Sequence, residues 1–275
     1  MNKILAATLV LASAVAAQPA SAVTVTLNLV ASYARNAPFG LAYDGSKVWW
    51  SQSNGTINEM TTAGVDTGNQ ITGTTWSALA YNPANHKIAT VNGGGIYSYD
   101  RPTTGTVAAS ALNPTFQAIA GGPYFLTDGL DIHGSTLWWS PDVSTVYASA
   151  LDGSGSASTF LSGSYSGVQY VSTSSHDFLV VVNDGSSPRN LCVHNTDASL
   201  VGCTILANSR YEDLAYDGRY LYAADYYGNK IDKIDLQVDG KSIGGTPEPD
   251  TWALMIVGFG LVGVATRRRQ VALTA

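Results

Sequence analysis

An all-β fold built by repetition is what this sequence predicts, and three observations carry the prediction. The phrase Gly40–Trp50 (GLAYDGSKVWW) returns as Asp213–Asp225 (DLAYDGRYLYAAD), with related versions at Ala78–Asn92 and Gly129–Ser140. A phrase that recurs within one chain marks a repeat architecture. Apolar segments starting near Leu41, Leu79, Leu130, Val171 and Leu214 are each followed eight or nine residues on by a second. The second segments start at Trp49, Ile88, Trp138, Leu179 and Tyr222, and a third set starts at Ile57, Ile96, Val146, Leu191 and Ile231. Finally, no stretch between the two ends has helical periodicity, and only 12% of the residues are charged, with 28 glycines among many Ser and Thr. That composition suits many short strands joined by turns.

Four strands in about 43 residues is the period of a propeller blade. Each blade is a small twisted sheet that buries against its neighbours what it cannot bury alone. The expected fold is therefore a β-propeller of about five four-stranded blades over residues 23–239. Asp44-Gly45, His133-Gly134 and Asp217-Gly218 stand between first and second strands, where such pairs make tight hairpin turns. Fourth strands are faint, the better ones being Ser158 to Leu161 and Cys203 to Ala207. After Leu236 the last repeat lacks a fourth strand. Thr24 to Val30 alternates apolar and polar residues and is placed to supply it, closing the ring. The step of 51 residues between Leu79 and Leu130 leaves room for an insertion around Pro114 to Thr127, or for a degenerate blade.

The ends read as addresses. Residues 1–22 have Lys3, an apolar run from Ile4 to Ala17, and the Ala20-Ser21-Ala22 pattern of signal-peptide cleavage. Residues 240–246 are a Gly-rich linker. Residues 247–275 hold Pro247-Glu248-Pro249, then an apolar helix from Trp252 to Thr266, then Arg267, Arg268 and Arg269. The arginines stay on the cytoplasmic side and leave the body outside. At 1.5 Å per residue the helix is roughly 23 Å long, short for a hydrocarbon core of about 30 Å, which suits a transient hold. Gly258 to Gly263 spells GxGxxG, but no strand precedes it and no acidic residue follows at nucleotide-binding distance. Its glycines are small residues of a membrane helix.

Two resemblances follow from these residues. The tail, with Pro247, Glu248, Pro249, Trp252, Ala253 and the arginine cluster, resembles the PEP-CTERM sorting signal in its PEPxxWA variant. That resemblance implies export by a Gram-negative-type cell, an inner-membrane intermediate, processing by an exosortase, and a final place at the cell surface or in an exopolysaccharide or biofilm matrix. The body, on its L-A-Y-D-G phrases followed by L/V-W-W or L-Y, is similar to NHL-like, YVTN-like and lactonase-like β-propellers. This likeness implies an architecture rather than an activity.

Chemistry is sparser. Residues 23–249 carry 10 basic and 19 acidic residues, which argues against a nucleic-acid surface and favours cationic or neutral partners. Cys192 and Cys203 fall on neighbouring predicted strands, within reach of a disulfide in an oxidising compartment. A two-cysteine metal site would have only His194 nearby. His86, His133 and His176 fall at turns, without metal-ligand spacing. Gly163 to Gly167 approaches a nucleophile elbow, but its centre is Tyr165. Asp128, Asp131, Glu212 and Asp213 stand at the starts of inner strands and are the candidates for a central divalent site, where oxygen ligands suit calcium. Trp50 and Trp139 are the candidates for stacking on sugar rings, with inter-blade packing the plainer role for most aromatics. The leading function is a non-enzymatic surface or matrix protein associated with exopolysaccharide. Beside it stand a metal-dependent propeller hydrolase or lactonase and a protein-interaction scaffold.

Overall fold

The computed structural model describes residues 23–122, 127–142, 144–173, 176–206 and 209–244. The predicted signal peptide with Ala20 and Ala22 lies outside the described residues. So does the predicted tail with Pro247, Glu248, Pro249, Trp252, Ala253 and Arg267 to Arg269. The described body is a β-propeller of antiparallel meanders, and its one helical turn among the described residues is a 3-10 turn at Ala109–Ala111.

The chain starts with β1 (Val25–Ala34), then builds a first sheet from β2 (Pro38–Tyr43), β3 (Lys47–Gln52), β4 (Thr56–Thr61) and β5 (Asp66–Thr72). The turn between β2 and β3 is set by Asp44, whose Oδ1 accepts the amides of Ser46 and Lys47 at 2.9 and 2.7 Å. The second sheet is β6 (Leu79–Asn82), β7 (Lys87–Val91) and β8 (Gly95–Tyr99). The chain then returns to the first sheet, where β9 (Thr106–Ala108) pairs in parallel with β5, before β10 (Thr115–Ala118) completes the second. The long step in the repeat holds this detour and, among the described residues, no further sheet.

The third and fourth groups of strands are continuous. They are β11 (Thr127–His133), β12 (Thr136–Pro141), β13 (Ser144–Ala150), β14 (Ser158–Ser172), β15 (Asp177–Asn183), β16 (Asn190–Asn195) and β17 (Leu200–Ile205). The first half of β14 pairs with β13 as an outer strand, and its second half pairs with β15 as an inner strand. The sequence places the fourth inner strand near Val171, whereas it ends at Ser172. The last sheet is β18 (Tyr211–Tyr216), β19 (Leu221–Asp225) and β20 (Lys230–Val238), with the short β21 (Lys241–Ser242) on β20. β1 pairs antiparallel along β20, from Val25 opposite Val238 to Ala34 opposite Lys230. The first strand of the body therefore supplies the fourth strand of the last sheet.

Five inner strands, β2, β6, β11, the second half of β14, and β18, touch in that order, and β18 meets β2 again. Serine hydroxyls stitch neighbours together. Ser51 donates to the Ser77 carbonyl, Ser77 to the Thr127 carbonyl, Ser140 to the Ser166 carbonyl, and Ser166 to the Tyr211 carbonyl. Apolar clusters fill the gaps between successive sheets. Trp49 packs with Leu79 and Ile88 on one side of β3, while Trp50 packs with Tyr222 and Ile231 on the other. The adjacent tryptophans thus face opposite neighbours, as strand alternation dictates. At about 25 cal/mol per Å², a fully buried indole of about 200 Å² contributes about 5 kcal/mol before entropy. Trp49 and Trp139 are such residues.

Cys192 and Cys203 stand opposite each other on β16 and β17 and form a disulfide, Sγ–Sγ 2.07 Å.

Candidate functional site

The starts of the inner strands and the ends of the second strands lie on one edge of every sheet, so their flanking residues converge on one mouth of the axis. One half of that mouth is aromatic. Phe39 opens β2, Trp76 precedes β6, and Tyr226 and Tyr227 follow β19. The Trp76 and Tyr226 rings stack at 5.8 Å, and Phe39 meets both edge-on at 5.2 and 6.1 Å. Tyr227 is 58% exposed, lies edge-on to Tyr226, and carries the Arg210 guanidinium 4.0 Å over its ring.

The other half is acidic. Asp128 stands in β11 and Glu212 in β18, while Asp142 follows β12 and Asp184 follows β15. Asp184 pairs with Arg189 at 2.6 Å. Burial pushes the Asp128 carboxyl up to about 9, helped by the charges of Glu212, Asp142 and Asp184. Burial likewise pushes Glu212 up to about 7, with Asp184 and Asp142 adding to it and Arg189 and Arg210 opposing. Glu212 is 7% exposed and accepts no hydrogen bond from the described residues.

Deeper on the axis sits Asp213, fully buried. Its Oδ2 accepts the amides of Leu41 and Leu79 at 2.8 and 3.1 Å, and its Oδ1 accepts those of Leu214 and Leu130 at 2.9 and 3.4 Å. One carboxylate thus ties together β2, β6, β11 and β18. Burial pushes its pKa well above the usual carboxylate value, and the four amides pull against that. The strands come close enough because Gly40 and Gly129 stand where a side chain would collide. A Cβ on Gly40 would lie 2.5 Å from the Ser77 carbonyl oxygen, and one on Gly129 would lie 2.5 Å from the Val168 nitrogen. The remaining inner strand is held by Asp131, whose Oδ2 accepts the Tyr170 amide at 2.8 Å and the Gln169 side chain at 2.9 Å. Burial pushes Asp131 up to about 7. Beyond it, toward the hairpin turns, opens an axial pocket of about 110 Å³ lined by Tyr43, Tyr81, Tyr216, Asp131 and Gln169.

This geometry revises two expectations. Trp50 and Trp139 are 5% and 2% exposed. Arg35 covers Trp50 at 5.0 Å, and Trp139 stacks on Tyr147 at 4.4 Å while its Nε1 donates to Ser149. Neither ring offers a free face to a sugar, because alternation turns both into the packing between sheets. The four axial acids also divide. Asp213 has both oxygens, and Asp131 its Oδ2, engaged by amides, so they hold strands together. Only Asp128 and Glu212 face the mouth, and among the described residues no three His, Cys, Asp or Glu side chains are grouped to hold a metal. Phe39, Trp76, Arg189 and Arg210 were not legible as site residues. Their signal is positional, since each flanks a strand end on the same edge.

Comparison with known proteins identifies the tail. Residues 246–269 match the PEP-CTERM protein-sorting motif. The motif starts two residues beyond the last described position, at the end of the propeller. It implies export, processing by an exosortase at a membrane-associated step, and a surface or extracellular end location. No curated protein matches the chain. Among solved structures, the glutaminyl cyclase of Myxococcus xanthus is similar with a TM-score of 0.54 and 10% identity, over 77% of this chain and 97% of that one. The β-propeller domain of Cps50 (Swd1) from Myceliophteria thermophila scores 0.47 at 8% identity, over 76% and 99%. The WD40 β-propeller domain of Doa1 scores 0.41 at 12% identity, over 80% and 71%. At 10% identity the likeness to the cyclase is one of fold alone.

Proposed function

We propose that this protein is an exported, non-enzymatic propeller of five blades, released to the cell surface or matrix of a Gram-negative-type bacterium, where it binds exopolysaccharide at the entry mouth of its axis. The sorting motif supports the destination. The observation that carries the binding reading is the aromatic half of the mouth. Trp76 and Tyr226 stack on each other beside Tyr227, which is 58% exposed, at the convergence of strand ends. Aromatic rings take the apolar face of a pyranose, and neighbouring polar groups take its hydroxyls. The five inner strands, the five clusters between sheets and the pairing of β1 with β20 support a closed five-bladed ring. The four amides on the Asp213 oxygens, and the two donors on Asp131 Oδ2, disfavour a hydrolase built around an axial divalent ion.

The test is a pull-down of the full chain by the producing organism's own exopolysaccharide. Saturable retention that the paired change Trp76→Ala and Tyr226→Ala weakens about thirtyfold, with the fold intact, is expected from the loss of two stacking rings at about 1 kcal/mol each. Retention indifferent to both changes, or no retention, contradicts the assignment of the site.

A further inference from the structure

We propose that the sorting tail holds this propeller with its hairpin-turn face against the lipid bilayer, so that the entry mouth points away and is open to polymer before the tail is removed. The proposal rests on the membrane-associated step that the sorting motif implies, and adds which face meets the membrane. It begins where the tail leaves the body. Ile243 is 6% exposed, packs in the cluster that holds Leu221 and Leu236, and donates its amide to the Leu236 carbonyl at 2.9 Å. Gly244 lies so close on the Arg219 backbone that a Cβ would collide with it. Arg219 belongs to the turn between β18 and β19, on the opposite face from the entry mouth. The tail therefore starts from a fixed point on that face, beside the axis. The start of the body emerges on the same side, where Thr24 and Asp239 exchange hydrogen bonds of 2.9 and 2.8 Å just beyond β20.

Chain length decides the orientation. The apolar run that opens at Trp252 is the first segment after the body able to enter lipid. Nine residues lead from Ile243 to Trp252, a reach of about 30 Å at full extension. To set the entry mouth on the bilayer, the tail must cross from β18 past β19 and β20 to the rim at β1, about 14 Å at strand spacing. It must then follow the six-residue height of β18, about 20 Å more. That path exceeds its reach. A body lying on its rim spends about half the reach on the crossing and gives up chain freedom that the face-down pose keeps. With the hairpin-turn face down, the tail passes directly into lipid. A bulky polymer then meets the entry mouth while the protein is still held, and capture does not wait for release.

The test measures the distance of each face from lipid. The full chain is recovered with its tail from a host that lacks the exosortase, and reconstituted into vesicles of phosphatidylethanolamine and phosphatidylglycerol with acceptor dyes on their headgroups. A donor dye is attached to one introduced cysteine, the native pair being closed as a disulfide. Ala84→Cys and Ser135→Cys report on exposed hairpin turns of two sheets, and Ser53→Cys on an exposed turn at the entry side. All three are expected to melt as the unaltered chain does. The two hairpin-turn sites stand about 20 Å closer to lipid, so their energy transfer should exceed that of Ser53→Cys at least about threefold. Inserting about twenty Gly and Ser residues after Gly244 adds a flexible coil of about 25 Å and should bring the three sites to similar transfer. Equal transfer from the three sites in floated vesicles, or more from Ser53→Cys, overturns the orientation and leaves the membrane-held step standing. A preference that survives the insertion overturns the short tether as its cause. Failure of the full chain to float with the vesicles overturns the membrane-held state and the proposal with it, while the exopolysaccharide pull-down decides the glycan reading separately.

Discussion

Replacing Asp213 with asparagine changes almost no volume but removes a charge and half of the acceptors from the axis. The carboxylate now serves four amides, two on each oxygen. Asparagine keeps one oxygen and presents an NH₂ group to the other two amides, so two buried N–H donors face a donor. Each unsatisfied buried donor costs about 1–3 kcal/mol, offset in part by relief of a desolvated charge. The expected net loss is about 3–5 kcal/mol, as for removing one partner from a buried charged network. Domains of this kind hold only about 5–15 kcal/mol in total. Equilibrium urea unfolding followed by tryptophan fluorescence is the assay. With a slope of about 3 kcal/mol per molar, the midpoint should fall by about 1–1.7 M without a change of slope. A midpoint within about 0.3 M of the unaltered protein would refute the claim that this carboxylate knots the inner strands.

Other consequences can be checked in the same way. Gly129→Ala forces a Cβ to within 2.5 Å of the Val168 nitrogen and 2.6 Å of the Ser166 carbonyl oxygen. Because those are backbone atoms, urea unfolding should show a loss of about 1–3 kcal/mol. Replacing Cys192 and Cys203 together by serine opens a loop spanning 11 positions. The chain-entropy estimate for that loop is about 3 kcal/mol, to be read as a lower urea midpoint. Burial raises the carboxyls of Asp131 and Glu212 to about 7 and that of Asp128 to about 9. Above about pH 4 the unfolded chain has released these protons while the folded chain still holds them. Stability should therefore fall as pH rises from about 4 toward 7, by up to about 1.4 kcal/mol per unit for each group. Calorimetric melting at pH 5 and pH 8 tests the sign, and a higher melting temperature at pH 8 would contradict it.

The sequence shows the repeat because the repeat is what the core needs. Inner, second and third strands carry the Leu, Trp and Ile residues that fill the gaps between sheets, and their spacing is visible as phrases. Fourth strands are faint for a physical reason. In β5, β10 and β17 most residues are exposed or half-buried, so little apolar alternation is imposed on them. The continuous β14 hides its junction because one extended segment is outer strand and then inner strand, without a turn to mark the change. At the axis, the sequence points to Asp128, Asp131, Glu212 and Asp213 but not to their partners. The amides that Asp213 gathers lie 172, 134 and 83 positions away along the chain, apart from its own neighbour Leu214. Distances of that kind become visible only when the strands are assembled. The aromatics follow the same logic. Trp50 and Trp139 attract attention because they recur, and recurrence is the mark of packing. Phe39, Trp76 and Tyr226 occupy strand ends where the other repeats have different residues, and the mouth is assembled from those departures.

The central claim is that the entry mouth receives the glycan, and hydrogen exchange read by mass spectrometry tests that location most directly. The full chain is labelled with and without saturating native exopolysaccharide. The account predicts protection concentrated around Phe39, Trp76, Arg210 to Glu212 and Tyr226 to Tyr227, with the hairpin turns at Asp44 and Asp217 unchanged. Protection centred on those turns and the axial pocket beside Tyr43, Tyr81 and Tyr216, with none at the entry mouth, would contradict it.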